Sequence, residues 1–145
     1  MTANGQPDKL DALYPVGEKQ PERVRTRNGH PLADLTLDNL LAGQVTGSDF
    51  GITAEGLRLQ AEIAEQAGRP NLARNLRRGA ELVEIPDDVL LEIYERLRPG
   101  RAHSADDLRA MADRLRRTYG AEETARLIEE AATVYEQRGI FDRRI

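Results

Sequence analysis

The placement of proline constrains this chain more than any other feature. Four of its seven prolines, Pro7, Pro15, Pro21 and Pro31, fall within the first 31 residues. Each lacks a backbone donor and clashes with the turn before it, so no helix of useful length runs through that stretch. Residues 1–35 are therefore expected to form an extended, irregular, proline-rich arm. "VRTRNGHPL" holds a turn signal at Asn28-Gly29, but not the apolar alternation on both sides that a hairpin needs. The remaining prolines punctuate a helical region. Pro70 and Pro86 stand where helices begin, since a first-turn residue has no intrahelical use for its N–H, and Pro99-Gly100 stands where one ends.

From Thr36 onward the apolar period is helical, and residues 36–145 read as an all-α domain of about six helices, a small open bundle. Thr36 caps a short helix with Leu37, Leu40 and Leu41, stopping near Gly43. After a turn-like "TGSDFG", Thr53 caps "AEGLRLQAEIAEQAG", with Gly68 just past its end. At about 100° per residue, Leu57, Leu59, Ala61, Ile63, Ala64 and Ala67 cover about 200° of that helix, an apolar face wide enough to be buried on more than one side. In the next helix Leu72, Leu76, Gly79, Ala80 and Val83 share a face. Gly79 costs about 1 kcal/mol of helix propensity, which points to close packing there. Asp87 and Asp88 suit the positive first turn of a helix with Leu90, Ile93, Tyr94 and Leu97 on its stripe. Ser104 and Asp107 form a near capping box for a helix with Leu108, Met111, Ala112, Leu115 and Tyr119, closed by Gly120. A last helix carries Leu127, Ile128, Ala131, Val134 and Tyr135 up to Gly139.

Leu, Ile, Val and Phe make up about 23 % of the 145 residues, a thin supply for so many helices. Completion of apolar surface by another subunit is the favoured consequence, a small self-sufficient bundle the alternative. With no cysteine in the chain, disulfides, thiolate nucleophiles and sulfur-ligated metals are excluded. No apolar run approaches the roughly 20 residues of a membrane span, and "MTANGQPDKLDALYPVG" lacks the apolar region of a signal peptide. A cytoplasmic protein without membrane contact is the simplest expectation. His30 and His103 have no metal-ligand spacing, Asp87-Asp88 point about 100° apart, and no phosphate loop or nucleophile motif is present. No catalytic, cofactor-binding or metal-binding residue is thus expected.

Arg69, Arg74, Arg77 and Arg78 form the one local concentration of positive charge in a chain of net charge -4. Helix, tight turn and helix from Thr53 to Val83 superficially match a helix-turn-helix, so a DNA-binding regulator is one alternative and an unrelated helical assembly scaffold another. Arginine pairs with carboxylates across protein interfaces as readily as with phosphates, and the net charge and low aromatic content argue against nucleic acid.

"LRLQAEIAEQAGRPNLARNLRRGAELVEIPDDVLLEIYERLRP" resembles the small (gamma) subunit of the adenosylcobalamin-dependent diol and glycerol dehydratases, including the propanediol dehydratases. The resemblance extends upstream through "YPVGEKQPERVRTRNGHPLADLTLDNLLAGQVTGSDFGIT" and downstream to "LRAMADRL" and "AATVYEQR", covering about Tyr14 to Arg138. Gly51, Leu76, Gly100 and the loop Ala102 to Ser104 depart from the family pattern. The resemblance implies a hydro-lyase complex of large, medium and small subunits, two of each, that dehydrates a 1,2-diol or glycerol to an aldehyde by radical chemistry. It further implies that adenosylcobalamin is bound by the other subunits, and that this chain is a non-catalytic support, inactive alone. On that reading Arg74, Arg77, Arg78, Tyr94 and Arg98 are the candidate subunit-interface residues, because Arg and Tyr are favoured as interface anchors. The chain also lacks the longer N-terminal extension of members packaged in bacterial microcompartments, so cytoplasmic residence is expected, with encapsulation possible through a partner subunit.

Overall fold

The structure is a computed structural model and describes residues 13–141. Among these the fold is all-α. Seven α-helices follow one another: α1 (Val16–Lys19), α2 (Leu37–Leu41), α3 (Ala54–Gln66), α4 (Pro70–Glu84), α5 (Asp87–Leu97), α6 (Ala105–Tyr119) and α7 (Glu122–Gln137), with 3-10 turns at Pro21–Arg23, Leu32–Asp34 and Gly47–Phe50. The only strand-like feature among them is an isolated bridge between Arg25 and Pro31.

The anticipated helix starts are in place. Thr36, Thr53 and Ser104 each accept a hydrogen bond from the backbone N–H three residues on, at 3.2, 3.1 and 3.1 Å. This satisfies one of the four donors that every helix N-terminus leaves free. Pro70 opens α4 and Pro86 immediately precedes α5. Gly68 and Gly120 end α3 and α6 with φ of +70° and +63°, a left-handed conformation that costs a residue with a Cβ. The arm is less extended than expected in its described part. Pro15 and Pro31 precede single helical turns and Pro21 opens one, because the fixed φ of proline suits a first turn as well as an extended chain. The part of the arm before residue 13 lies outside the described residues.

The chain divides into two compact units, the first ending at Ala80 and the second beginning at Glu81. In the first, α3 and the facing part of α4 form a hairpin across the three-residue connection at Gly68. Ala61 and Ala64 pack with Ala73 and Leu76, and Leu57 lies opposite Gly79. The partners run in opposite order along the two helices, so the pair is antiparallel. The buried residues of α4 are Ala73 and Ala80, whereas Leu72 is 43 % exposed. This corrects the expected stripe, which began at Leu72: Ala73 and Ala80 take the seam with Leu76 half-buried against it, and Leu72 is left at its edge. A Cβ on Gly79 would meet Leu57 Cδ1 at 3.5 Å, an ordinary contact, so packing does not demand glycine there.

The second unit has a conventional core. Leu108, Leu115 and Ile128 are fully enclosed, with Ile93, Met111, Ala112, Ala125 and Ala132 around them. Each large member contributes roughly 1.5–3 kcal/mol through removal from water. The α6 stripe matches expectation, and so does that of α5 at Leu90, Ile93 and Leu97 but not at Tyr94, whereas α7 keeps Ile128 and Tyr135 and turns the rest of its stripe. Tyr94 is 64 % exposed while Val89, Leu90 and Leu97 pack on the core, and α7 buries Thr124, Ala125, Ile128 and Ala132 rather than Leu127 and Val134. Alanine and threonine let α7 lie close to α6, and that proximity selects the face. Ala121, which precedes α7, cannot cap it with its side chain. Glu81 does so instead, its carboxylate accepting from the N–H groups of Glu123 and Thr124 at 2.8 Å each and from Thr124 Oγ1 at 2.7 Å. Arg116 ties α6 to α7, donating to Glu122 at 2.7 Å and to both oxygens of Glu129 at 3.1 and 3.2 Å. These bonds raise its pKa further and lower that of Glu122.

Candidate subunit interface

Nothing among the described residues gathers into a catalytic constellation. The His30 ring lies 4.0 Å from Asp34, one turn on, and His103 is exposed after α5. No three His, Cys, Asp or Glu side chains converge as metal ligands among the described residues. None of the helices there is long and apolar enough to cross a membrane.

The five residues singled out as interface candidates fall on α4 and at the C-terminal end of α5. On α4, Arg74 is exposed and makes no hydrogen bond or ion pair with another described residue. Arg77 is half-buried and paired with Glu65 of α3, and Arg78 donates to Asn75 Oδ1 at 2.6 Å. On α5 the structure brings Tyr94 and Arg98 together: the guanidinium sits 5.9 Å from the ring centroid and is 3.4 Å from a Glu95 oxygen. Arg74, Tyr94 and Arg98 therefore face solvent, while Arg77 is engaged within the hairpin. That engagement, and the antiparallel packing of α3 on α4, do not favour the helix-turn-helix alternative, whose helices cross at about 90–120° and present the second to a groove.

Four strongly exposed apolar side chains of the first unit were not singled out as interface candidates from the sequence. Leu37, Leu41, Phe50 and Ile52 are between 51 and 77 % exposed. The five residues of α2 are too few to bury three leucines, and this was the legible signal. A cleft of about 780 Å³ opens between Tyr14–Gly17 and the α3–α4 hairpin, lined by Ile63, Ala64, Leu72 and Leu76 with Arg69 among its walls. A smaller hollow of about 240 Å³ is bounded by Val24, Leu32, Leu35, Phe50, Ile52 and Leu57.

Asp49, 3 % exposed, organises that smaller hollow. Its Oδ1 accepts from Thr26 Oγ1 at 2.7 Å and Asn28 Nδ2 at 3.0 Å, and its Oδ2 from the Thr46 N–H at 2.9 Å and Thr46 Oγ1 at 3.1 Å. The Thr46 backbone bond, followed by the Thr26 hydroxyl, holds the carboxyl far below the usual carboxylate range; hydrogen bonds to the charged form outweigh its desolvation. The spacing Thr46-x-x-Asp49 is the carboxylate half of a capping box and was available in the sequence. The reach to Thr26 and Asn28, 23 and 21 residues away, was not. Among the departures from the family pattern, Gly100 has φ of +79°, which glycine adopts without strain. Gly51 does not, at φ −74°.

The chain belongs to the dehydratase small-subunit family, whose pattern matches residues 10–142. It is 50 % identical over 125 residues to the propanediol dehydratase small subunit of Citrobacter freundii, an alignment that covers 86 % of this chain and 72 % of that one. With the propanediol dehydratase small subunit of Salmonella typhimurium strain LT2 the identity is 48 % over the same coverage.

Proposed function

We propose that the chain is the small subunit of a propanediol or glycerol dehydratase and works by supporting the assembly of the larger subunits, without contributing a catalytic group. The observation that carries this reading is the distribution of apolar surface. Large side chains at Leu37, Leu41, Phe50 and Ile52 stand in solvent while the neighbouring hairpin is sealed by alanines. A soluble chain exposes such surface where another chain covers it. The partners are the large and medium subunits, in a dimer of heterotrimers, resident in the cytoplasm or carried into a microcompartment by a partner.

Adenosylcobalamin supplies the radical chemistry of such a complex and is assigned to the other subunits. A corrinoid bears a ring of amide arms and a phosphate, which call for a matching array of polar groups. The 780 Å³ cleft offers Gln60, Arg69 and Tyr14 in an otherwise apolar lining, so that cleft does not fit it.

Co-expression of all three subunits, with and without this chain, tests the proposal by adenosylcobalamin-dependent aldehyde formation and by recovery of the complex. Loss of both on omission is expected. Full activity and normal complex stability without the chain would contradict it.

A further inference from the structure

We infer that the hollow bounded by Leu32, Phe50 and Ile52 is an anchor site for an acidic segment of a partner dehydratase subunit that inserts one large apolar side chain. This rests on the reading of the chain as a dehydratase small subunit and assigns that subunit a specific point of attachment. Three observations carry it.

The first is shape and chemistry. A volume of about 240 Å³ accommodates a single large side chain, and the lining is mostly apolar, with Arg25, Thr26, Asp49, Thr53 and Gln60 interspersed. Leu32, Phe50 and Ile52 are 37, 51 and 67 % exposed at its lips. Interface hot spots take this form, an anchor seated in a pocket ringed by near-neutral contacts.

The second is charge. The turn beside the hollow, from Arg23 to His30, carries three arginines and no acidic residue. Arg23 is paired with Glu62 at 3.4 Å. Arg25 donates to Gly29 O at 3.1 Å with one of its nitrogens, leaving its other donors available, and Arg27 is exposed without a partner among the described residues. The one carboxylate in the lining, Asp49, has both oxygens engaged by Thr26, Asn28 and Thr46. An occupant with Asp or Glu flanking its apolar anchor would meet free guanidinium groups. A nucleic acid would find the cations but no stacking platform.

The third is rigidity. Asp49 fastens the Thr26–Asn28 turn to the Gly47–Phe50 turn, and the Thr26 N–H donates to His30 O at 2.9 Å, so both walls are fixed before anything docks. Ordering entropy is thereby removed from the cost of binding. Asp49 is a positioning residue in this scheme and touches no partner.

Titration of the purified full-length chain onto the co-purified large and medium subunits tests the site. Arg25→Glu with Arg27→Glu is expected to weaken binding at least about tenfold and to flatten its salt dependence. Ile52→Ser is expected to weaken it about fivefold with the salt dependence retained, and the lysine pair Arg25→Lys with Arg27→Lys to restore most of the affinity. Arg101→Glu with Arg138→Glu alters the charge equally at other exposed positions and should stay within about twofold of wild type. All four variants change exposed side chains, so unchanged melting of the free chain certifies folding. Affinities within twofold of wild type for both hollow variants would overturn the inference, and so would an equal loss in the distant pair. Tighter binding after removal of residues 1–12, which would make the chain's own terminus the occupant, or self-association abolished by the Arg25/Arg27 reversal, would also overturn it. Failure of the wild-type chain to bind the two subunits would instead remove the functional reading itself, and the site with it.

Discussion

The two units solve the same problem, a modest supply of large apolar residues, in opposite ways. The second places Leu108, Leu115, Ile128 and Ile93 in one enclosed cluster and fastens α6 and α7 with Glu81 and Arg116. The first seals its helix pair with alanines, fixes its turns through a buried carboxylate, and leaves Leu37, Leu41, Phe50 and Ile52 outside. Hydrophobic burial stabilises in proportion to area removed from water, so the second unit collects more of that energy internally, while the first buries Val45, Leu59 and Ile63 and still has the four exposed side chains to gain from. Polar links hold a shape but add little net stability, which makes the first unit a pre-formed surface rather than a self-sufficient core.

This contrast is most easily broken with a charge. Ile93→Asp buries a carboxylate without a partner in the second unit and should cost on the order of 4 kcal/mol. Leu41→Asp in the first should change the stability of the free chain by no more than about 0.5 kcal/mol. Thermal melts of the two variants check this, and equal destabilisation would erase the distinction. Next in size is Glu81→Ala, which strips three hydrogen bonds from the start of α7 and should cost about 1–2 kcal/mol, read as a lower denaturant midpoint with an unchanged slope. Gly79→Ala has the opposite sign. The added Cβ meets only Leu57 at contact distance, so the helix should gain about 0.5–1 kcal/mol; a loss would mean that the hairpin needs the glycine after all.

The smallest effect is that of mild acid on the first unit. Asp49 has a folded pKa depressed below its ordinary value of 3.8, so its contribution is fully present above that value and lost only as pH falls from there towards the folded pKa. Amide exchange at Thr26 and Thr46 should therefore be unchanged, after correction for the intrinsic rate, between pH 7 and pH 5. Loosening within that window would show that the carboxylate is not held as described.

Helix boundaries were legible in the sequence because they are written locally, in Thr36, Thr53, Pro70, Pro86, Ser104 and the glycines Gly43, Gly68, Gly100, Gly120 and Gly139. The turned-out members of the stripes were not, since Leu72, Tyr94, Leu127 and Val134 are displaced by neighbours that only the assembled units supply. Ala73, Ala125 and Ala132 are chosen for closeness, and a search for large apolar residues passes over them. Of the interface candidates, Arg74, Tyr94 and Arg98 face solvent, while Arg77 has an internal partner twelve residues away in Glu65. The Asp49 clasp depends on contacts 21 and 23 residues distant, which no local pattern encodes.

Hydrogen exchange on the full chain, alone and bound to the large and medium subunits, tests the central claim most directly. Protection should rise on binding across residues 24–53 and around Leu72, while the interior of α6, at Leu108 to Leu115, should be protected equally in both states. Unchanged exchange across residues 24–53, or protection gained only in α6, would contradict the account.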